Sequence, residues 1–210
     1  MPAIEDAARL ALVQRGRKLE YLTLGWNTLE GLVAIAAGTI AGSVSLTAFG
    51  LDSVIELTSG AALLWRMAVD SDAELRARNE RRALRIVGLC FIALAAYIVY
   101  ESGSDLLFHR TPERSIPGIF LACASLVAMP LLSRAKRRVA RQLNSAAMRA
   151  DAKQSEFCAW LSGILLVGLF LNAAFGMWWA DPAAALVMSP LIVREGVEAL
   201  RGEHCSDCFE

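Results

Sequence analysis

The segment GSVSLTAFGLDSVIE, residues 42–56, places two carboxylates four residues apart in a stretch that is otherwise apolar enough to cross a bilayer. On a helix, Asp52 and Glu56 project from one face about one turn apart, so their oxygens can converge on one cation or share a proton. Facing lipid, each carboxylate would cost on the order of 2.5 to 3.5 kcal/mol. We therefore expect both side chains to face a cavity where ions bind.

The composition around this segment is typical of a membrane protein. Hydrophobic residues make up 56% of the 210 residues, and several apolar stretches are long enough to span a bilayer. We predict an all-α, polytopic six-helix bundle in a lipid bilayer, with no nucleic-acid partner. The predicted helices are 21–40, 44–69, 84–108, 116–133, 156–176 and 177–200. They form one transmembrane domain, 21–200, between an amphipathic segment, 1–20, and a short tail, 201–210.

The basic residues predict the orientation of this bundle. Of the 21 lysines and arginines, 19 lie before the first span, in the second-to-third and fourth-to-fifth connections, or near the C-terminus. Arg110 and Arg114, between the third and fourth spans, are the other two. Because cytoplasmic loops are enriched in basic residues, we expect a multi-pass protein of a plasma membrane, such as a bacterial inner membrane, with both termini cytoplasmic.

Further polar residues lie at or inside the predicted spans. Asn27 and Glu30 share one face of the first helix. The helical pattern of the fifth span extends back through residues 144–153 and brings Asp151 and Glu156 to the cytoplasmic half of the bundle. Such residues are tolerated in a membrane where they line water or pair with one another. Glu156, followed by an apolar run, is expected to line a cavity. Asp151 either lines the same cavity or is an ordinary interfacial residue. Glu30 is open to lining the ion path or to forming a hydrogen bond between helices.

Two motif groups resemble the cation diffusion facilitator family. The first is the run 42–48 followed by Asp52 and Glu56, on the second helix. The second consists of Gln154-Ser155-Glu156 on the fifth helix and Trp179-Ala180-Asp181-Pro182 at the start of the last helix. The similarity covers about residues 20 to 200. It implies a divalent-metal site made by a pair of ligands on the second helix and a pair on the fifth. By position these would be Asp52 and Glu56, then residues 152 and 156.

The sequence departs from the family pattern at Ala152, which offers no ligand. Candidate replacements are Asp151, Glu30 or Asn27, or Cys158, although Cys158 is two residues from Glu156 and points to a different face. Three carboxylates and water would suit Mn²⁺ or Fe²⁺ as readily as Zn²⁺. The resemblance favours Zn²⁺, with Co²⁺ and Cd²⁺ as further candidates.

A second departure lies at the C-terminus. Members of the family continue into a cytoplasmic metal-binding and dimerising domain of ferredoxin-like fold, whereas about ten residues follow the last predicted helix here. They include His204, Cys205 and Cys208, which form either a metal-capture arm or an idle tail with two thiols. The spacing of the five cysteines gives no sign of a disulfide framework.

These observations predict a transporter that exports divalent transition-metal cations by alternating access, as a homodimer and in exchange for protons. The metal would be cargo, and no cofactor or catalytic residue is expected. Two alternatives remain open. One is an accessory or metal-sensing membrane protein without turnover, and the other is a metal-dependent membrane phosphotransferase, although the Asp-Gly-x-x-Ala-Arg run of that family is missing from this sequence.

Overall fold

The computed structural model of the chain describes residues 2–68, 73–143 and 146–201. These residues form six α-helices, so the predicted all-α, six-helix class is confirmed. The helices are α1 Pro2–Ala41, α2 Val44–Ala68, α3 Ala73–Phe108, α4 Ile116–Leu143, α5 Ala146–Phe175 and α6 Ala180–Arg201.

Four of the helices extend well beyond the predicted apolar spans. Helix α1 includes the amphipathic segment from Pro2 onward, and α3, α4 and α5 continue into the basic connecting regions. Among the described residues, three segments are long and apolar enough to cross a membrane: Arg85–Phe108, Ile116–Leu143 and Asp151–Phe175. The other three helices carry acidic residues within their apolar stretches. The protein is therefore a multi-pass membrane protein.

The helices pack as three main pairs, α1 with α2, α3 with α6, and α4 with α5. Contacts between α1 and α4 and between α2 and α5 join two of these pairs into a four-helix group, and the α3–α6 pair packs against α2 and α5. Phe49, Leu161, Leu165 and Met188 belong to the continuous apolar core of this arrangement. The four-helix group brings the polar faces of α1, α2 and α5 together in the interior.

The connection between α1 and α2 is a tight turn that α6 holds in place. Gly42 has a φ of +63°, in the left-handed region where glycine is favoured. Asp181, in the first turn of α6, accepts hydrogen bonds from the Ser43 hydroxyl at 2.6 Å and from the Val44 amide at 3.0 Å. Asp181 is the second residue of α6, and its carboxylate caps the start of α2. This contact fixes α2 against α6 at one end of the bundle.

Helices α1 and α2 approach closely because glycines lie between them. A Cβ atom at Gly50 would lie 2.8 Å from the backbone nitrogen of Ile35 and 2.9 Å from the Cβ of Ala34. A Cβ atom at Gly38 would lie 2.7 Å from the backbone nitrogen of Thr47. Because backbone atoms cannot move aside as a flexible side chain can, this approach requires glycine. The close packing sets the position of Asp52 and Glu56 relative to the polar face of α1.

Replacing Gly50 with alanine is expected to destabilise the protein by about 1–3 kcal/mol, the usual penalty for overpacking. The matched control is Gly103→Ala in α3, where an added Cβ would meet nothing within 4 Å. The control should be neutral or slightly stabilising, because alanine is the better helix former. Melting temperatures of the two purified variants in detergent test this prediction. Equal melting temperatures would contradict the close approach of α1 and α2.

Candidate metal site

Asp52, Glu56 and Cys158 converge on one buried point between α2 and α5. One ligand atom from each residue lies within 4.8 Å of the other two. All three side chains are buried, and those of Asp52 and Cys158 are fully enclosed. The spacing of four residues places Asp52 and Glu56 on one face of α2, and the packing of α2 against α5 brings Cys158 to them. Two oxygens and one sulfur can therefore reach a single cation.

Asn27 of α1 completes the surroundings of this group. Its side-chain Nδ2 donates a hydrogen bond of 2.9 Å to Oε2 of Glu56. Four nearby oxygens are buried and have no hydrogen-bond partner within the described structure: Asn27 Oδ1, both Asp52 carboxylate oxygens and Glu56 Oε1. Buried oxygens without donors are costly unless a proton, a water molecule or a cation satisfies them. The donor set is thus suited to holding a positive charge.

Glu30 lies beside the group and is supported by its own hydrogen bonds. The Ser125 hydroxyl of α4 donates to Oε1 of Glu30, and the Ser53 hydroxyl of α2 donates to Oε2 at 3.2 Å. The Cys158 thiol lies 3.9 Å from Oε2 and can donate a weak hydrogen bond to it. Trp26 donates a hydrogen bond of 3.0 Å to Ser125. Glu30 is therefore the neighbour that orients Cys158, while its own oxygens already have donors.

Glu156 does not join this group, which departs from the expectation drawn from the sequence. Its side chain is 48% exposed and forms an ion pair with Arg137 of α4. On α5 it falls on the same face as Trp160 and Val167, both exposed. The buried face of α5 instead carries Ser155, Cys158 and Ser162. Of the alternatives for the missing ligand, the structure brings Cys158 and Asn27 to Asp52 and Glu56.

The other predicted site residues lie elsewhere or outside the described residues. Asp151 pairs with Lys136 at 2.5 Å rather than with Asp52 or Glu56. Ala152 is buried, and its carbonyl accepts a hydrogen bond from Ser133. The tail residues, namely His204, Cys205 and Cys208, lie outside the described residues.

Sequence reasoning missed the supporting hydroxyl groups of Ser53 and Ser125. Their position follows a pattern that the sequence does contain, since Ser125 continues a buried stripe of α4 through Met129 and Leu132. Ser53 follows Asp52 directly and reaches across to α1. A hydroxyl at a buried position of an apolar stripe indicates a polar partner on the facing helix.

The chemistry of the assembled group differs from that of three carboxylates. A thiolate is a softer donor than a carboxylate and is a common zinc ligand, whereas Mn²⁺ prefers oxygen. Asp52, Glu56 and Cys158 could bind a divalent transition metal once they are deprotonated, with Asn27 Oδ1 or water as a further donor.

The sequence of this chain matches a family of known proteins. Residues 22–202 match the cation efflux transmembrane domain. The chain is 30% identical over 200 residues to an uncharacterized transporter of Synechocystis sp., covering 92% of this chain and 63% of that protein. It is 28% identical over 184 residues to the cation-efflux pump FieF of Cronobacter sakazakii, covering 83% of this chain and 61% of that protein.

A third relative is the manganese efflux system protein MneS of Bacillus subtilis, which is 22% identical over 188 residues. That match covers 87% of this chain and 64% of the relative. The chain thus spans somewhat less than two thirds of the length of each of these three proteins. The shared part is the helical transmembrane region that contains the buried group.

Proposed function

Since the chain belongs to the cation efflux family by its match over residues 22–202, we propose that it exports divalent transition-metal cations through the site at Asp52, Glu56 and Cys158. Membership of this transporter family excludes the phosphotransferase alternative, and the chain is not an enzyme. The observation that carries the proposal is the convergence of two carboxylates and a thiol within 4.8 Å in the bundle interior.

Proton exchange follows from the chemistry of these ligands. A carboxylate or a thiol binds a metal only in its deprotonated form, so protons compete with the metal for the same atoms. In the proposed cycle, metal binds from the cytoplasm, rocking of the helix bundle exposes the site to the outside, and protons then displace the metal. The cytoplasmic placement of both termini is supported by the distribution of the basic residues.

The proposal favours Zn²⁺ as cargo because the donor set contains sulfur. Mn²⁺ and Fe²⁺ are also candidates because two of the three donors are carboxylates, and one relative is named for manganese efflux. A homodimer in the membrane, as the family resemblance implies, is also part of the proposal. Light scattering on the purified protein in detergent gives its mass and so tests for the dimer.

Metal flux into proteoliposomes tests the function directly. Purified protein is reconstituted with a metal-sensitive dye inside the vesicles, and Zn²⁺ or Mn²⁺ is added outside with and without a proton gradient. We expect uptake above that of empty liposomes, and faster uptake when the vesicle interior is the more acidic side. Metal binding without any flux would overturn the transport proposal in favour of an accessory or sensing protein.

The affinity for metal should fall as the pH is lowered. Protons occupy the Asp52, Glu56 and Cys158 donors at low pH, so the dissociation constant is expected to rise steadily between roughly pH 8 and pH 5.5. Titration calorimetry on the detergent-solubilised protein measures this dependence. A dissociation constant that stays flat across the range would contradict ligation by these acidic groups.

A further inference from the structure

Three charged side chains meet inside the bundle at the end where α4 and α5 are joined. Lys136 of α4 is fully buried, and its Nζ lies 3.1 Å from Oε2 of Glu20 on α1 and 2.5 Å from Oδ2 of Asp151 on α5. Glu20 is 2% exposed, and the Asp151 side chain is 14% exposed. We call Glu20, Lys136 and Asp151 the buried triad. It ties three helices together through one ammonium group.

We propose that the buried triad is a proton-binding site, separate from the metal site, that takes up and releases one proton. The first argument is its charge. With all three groups ionised, two carboxylates face one ammonium and leave a net charge of −1 away from water. A buried uncompensated charge is strongly unfavourable. One proton on either carboxylate makes the triad neutral.

The second argument is the state of the hydrogen bonds. Oε1 of Glu20 is buried and has no hydrogen-bond donor within the described structure, whereas Oε2 of Glu20 and Oδ2 of Asp151 both contact the ammonium of Lys136. Helix α2 offers no donor at Gly60, where an added Cβ would lie 2.7 Å from Oε1 of Glu20. Acceptor oxygens enclosed in this way are satisfied when one carboxyl group carries a proton and donates it.

Electrostatics place the exchange in the physiological range. Glu20 lies just before the first predicted span, which begins at residue 21. Burial raises the pKa of Glu20 to about 7, the negative charge of Asp151 acts in the same direction, and the positive charge of Lys136 opposes them. These are the charged groups that act on Glu20 within the described structure. Glu20 is therefore protonated below about pH 7 and ionised above it.

The triad and the metal site lie along one face of α1. Glu20, Thr23, Asn27 and Glu30 follow a buried stripe with steps of three and four residues. At 1.5 Å per residue, Glu20 and Asn27 are about 10 Å apart along the helix. Lys136 and Asp151 also act electrostatically on Glu56. A change in the charge of the triad therefore changes the electrostatic potential at the metal site, although the two sites share no atom.

Infrared titration of the metal-free protein tests this proposal without relying on transport. The stretching band of protonated carboxyl groups is followed against pH for the wild type, Glu20→Gln and Asp151→Asn. We expect a component with a midpoint near pH 7 in the wild type and a fall in its amplitude by one carboxyl group in Glu20→Gln. In Asp151→Asn the midpoint should move down by about one pH unit or more, because a neighbouring negative charge is removed while Lys136 remains.

The matched control is Glu198→Gln, which removes another ion-paired carboxylate, one held by Arg194 at 2.8 Å. This variant should leave the component and its midpoint unchanged. The proposal is overturned if Glu20→Gln keeps the full component, or if the midpoint in Asp151→Asn stays in place or rises. If Glu20→Gln does not yield folded protein, the Asp151→Asn variant is sufficient. The direction of its midpoint shift depends on the removed charge and not on packing.

Discussion

Replacing Asp52 with asparagine is expected to abolish metal flux in proteoliposomes. The change removes one of two carboxylates from a buried group and keeps the size of the side chain. Loss of an outer hydrogen-bond partner of a metal ligand typically lowers metal affinity by 10–100-fold, so loss of a direct ligand should lower it by about 100-fold or more. The protein should still fold, since the substitution also removes a charge from the interior.

The matched control for this prediction is Glu156→Gln, in the helix that supplies Cys158. Glu156 is half exposed and paired with Arg137, so its variant should keep flux close to that of the wild type. Size-exclusion profiles check that the variants fold. Flux is compared at equal amounts of reconstituted protein. If Glu156→Gln loses flux while Cys158→Ala keeps it, the ligand from α5 is Glu156 and the assignment made here is wrong.

Replacing Cys158 with serine is expected to change which metal the protein prefers. The variant exchanges a soft sulfur for a hard oxygen in a group whose other two members are carboxylates. Zn²⁺ affinity should fall by about 10–100-fold, and Mn²⁺ affinity should change much less. Competition binding of the two ions, read by calorimetry or by a metal-sensitive dye, gives the ratio.

Cys123→Ser is the matched control for this second prediction. Cys123 is an exposed free cysteine of α4, so its loss tests general effects of removing a thiol. We expect the Zn²⁺ to Mn²⁺ affinity ratio of the control to equal that of the wild type. An unchanged ratio in Cys158→Ser would mean that the sulfur does not contact the metal, and would leave Asp52, Glu56 and Asn27 as the donors.

Much of the fold was predictable because membrane helices are marked by composition. Long apolar stretches must form helices in a bilayer, where every backbone group needs a partner. The connecting segments were harder, since charged residues form helices as readily as they form loops. The start of α3 at Ala73 and the end of α4 at Leu143 therefore lie beyond the apolar spans.

The sequence by itself determined the pairing of Asp52 with Glu56, because a spacing of four residues on one helix fixes their common face. It also indicated that Asn27 and Glu30 share a face of α1. These inferences needed no knowledge of neighbouring helices. They rest on the geometry of a single helix, which is the same wherever the helix packs.

Only the tertiary structure decided which face of α5 meets that pair. After Phe157 this helix is apolar almost all round, so its sequence does not distinguish an inward face from a lipid-facing one. Its rotation is set by packing against α4 and α2, which buries Cys158 and leaves Glu156 outside with Arg137. The triad arises in the same way, because Glu20, Lys136 and Asp151 lie on three helices and meet only when those helices pack.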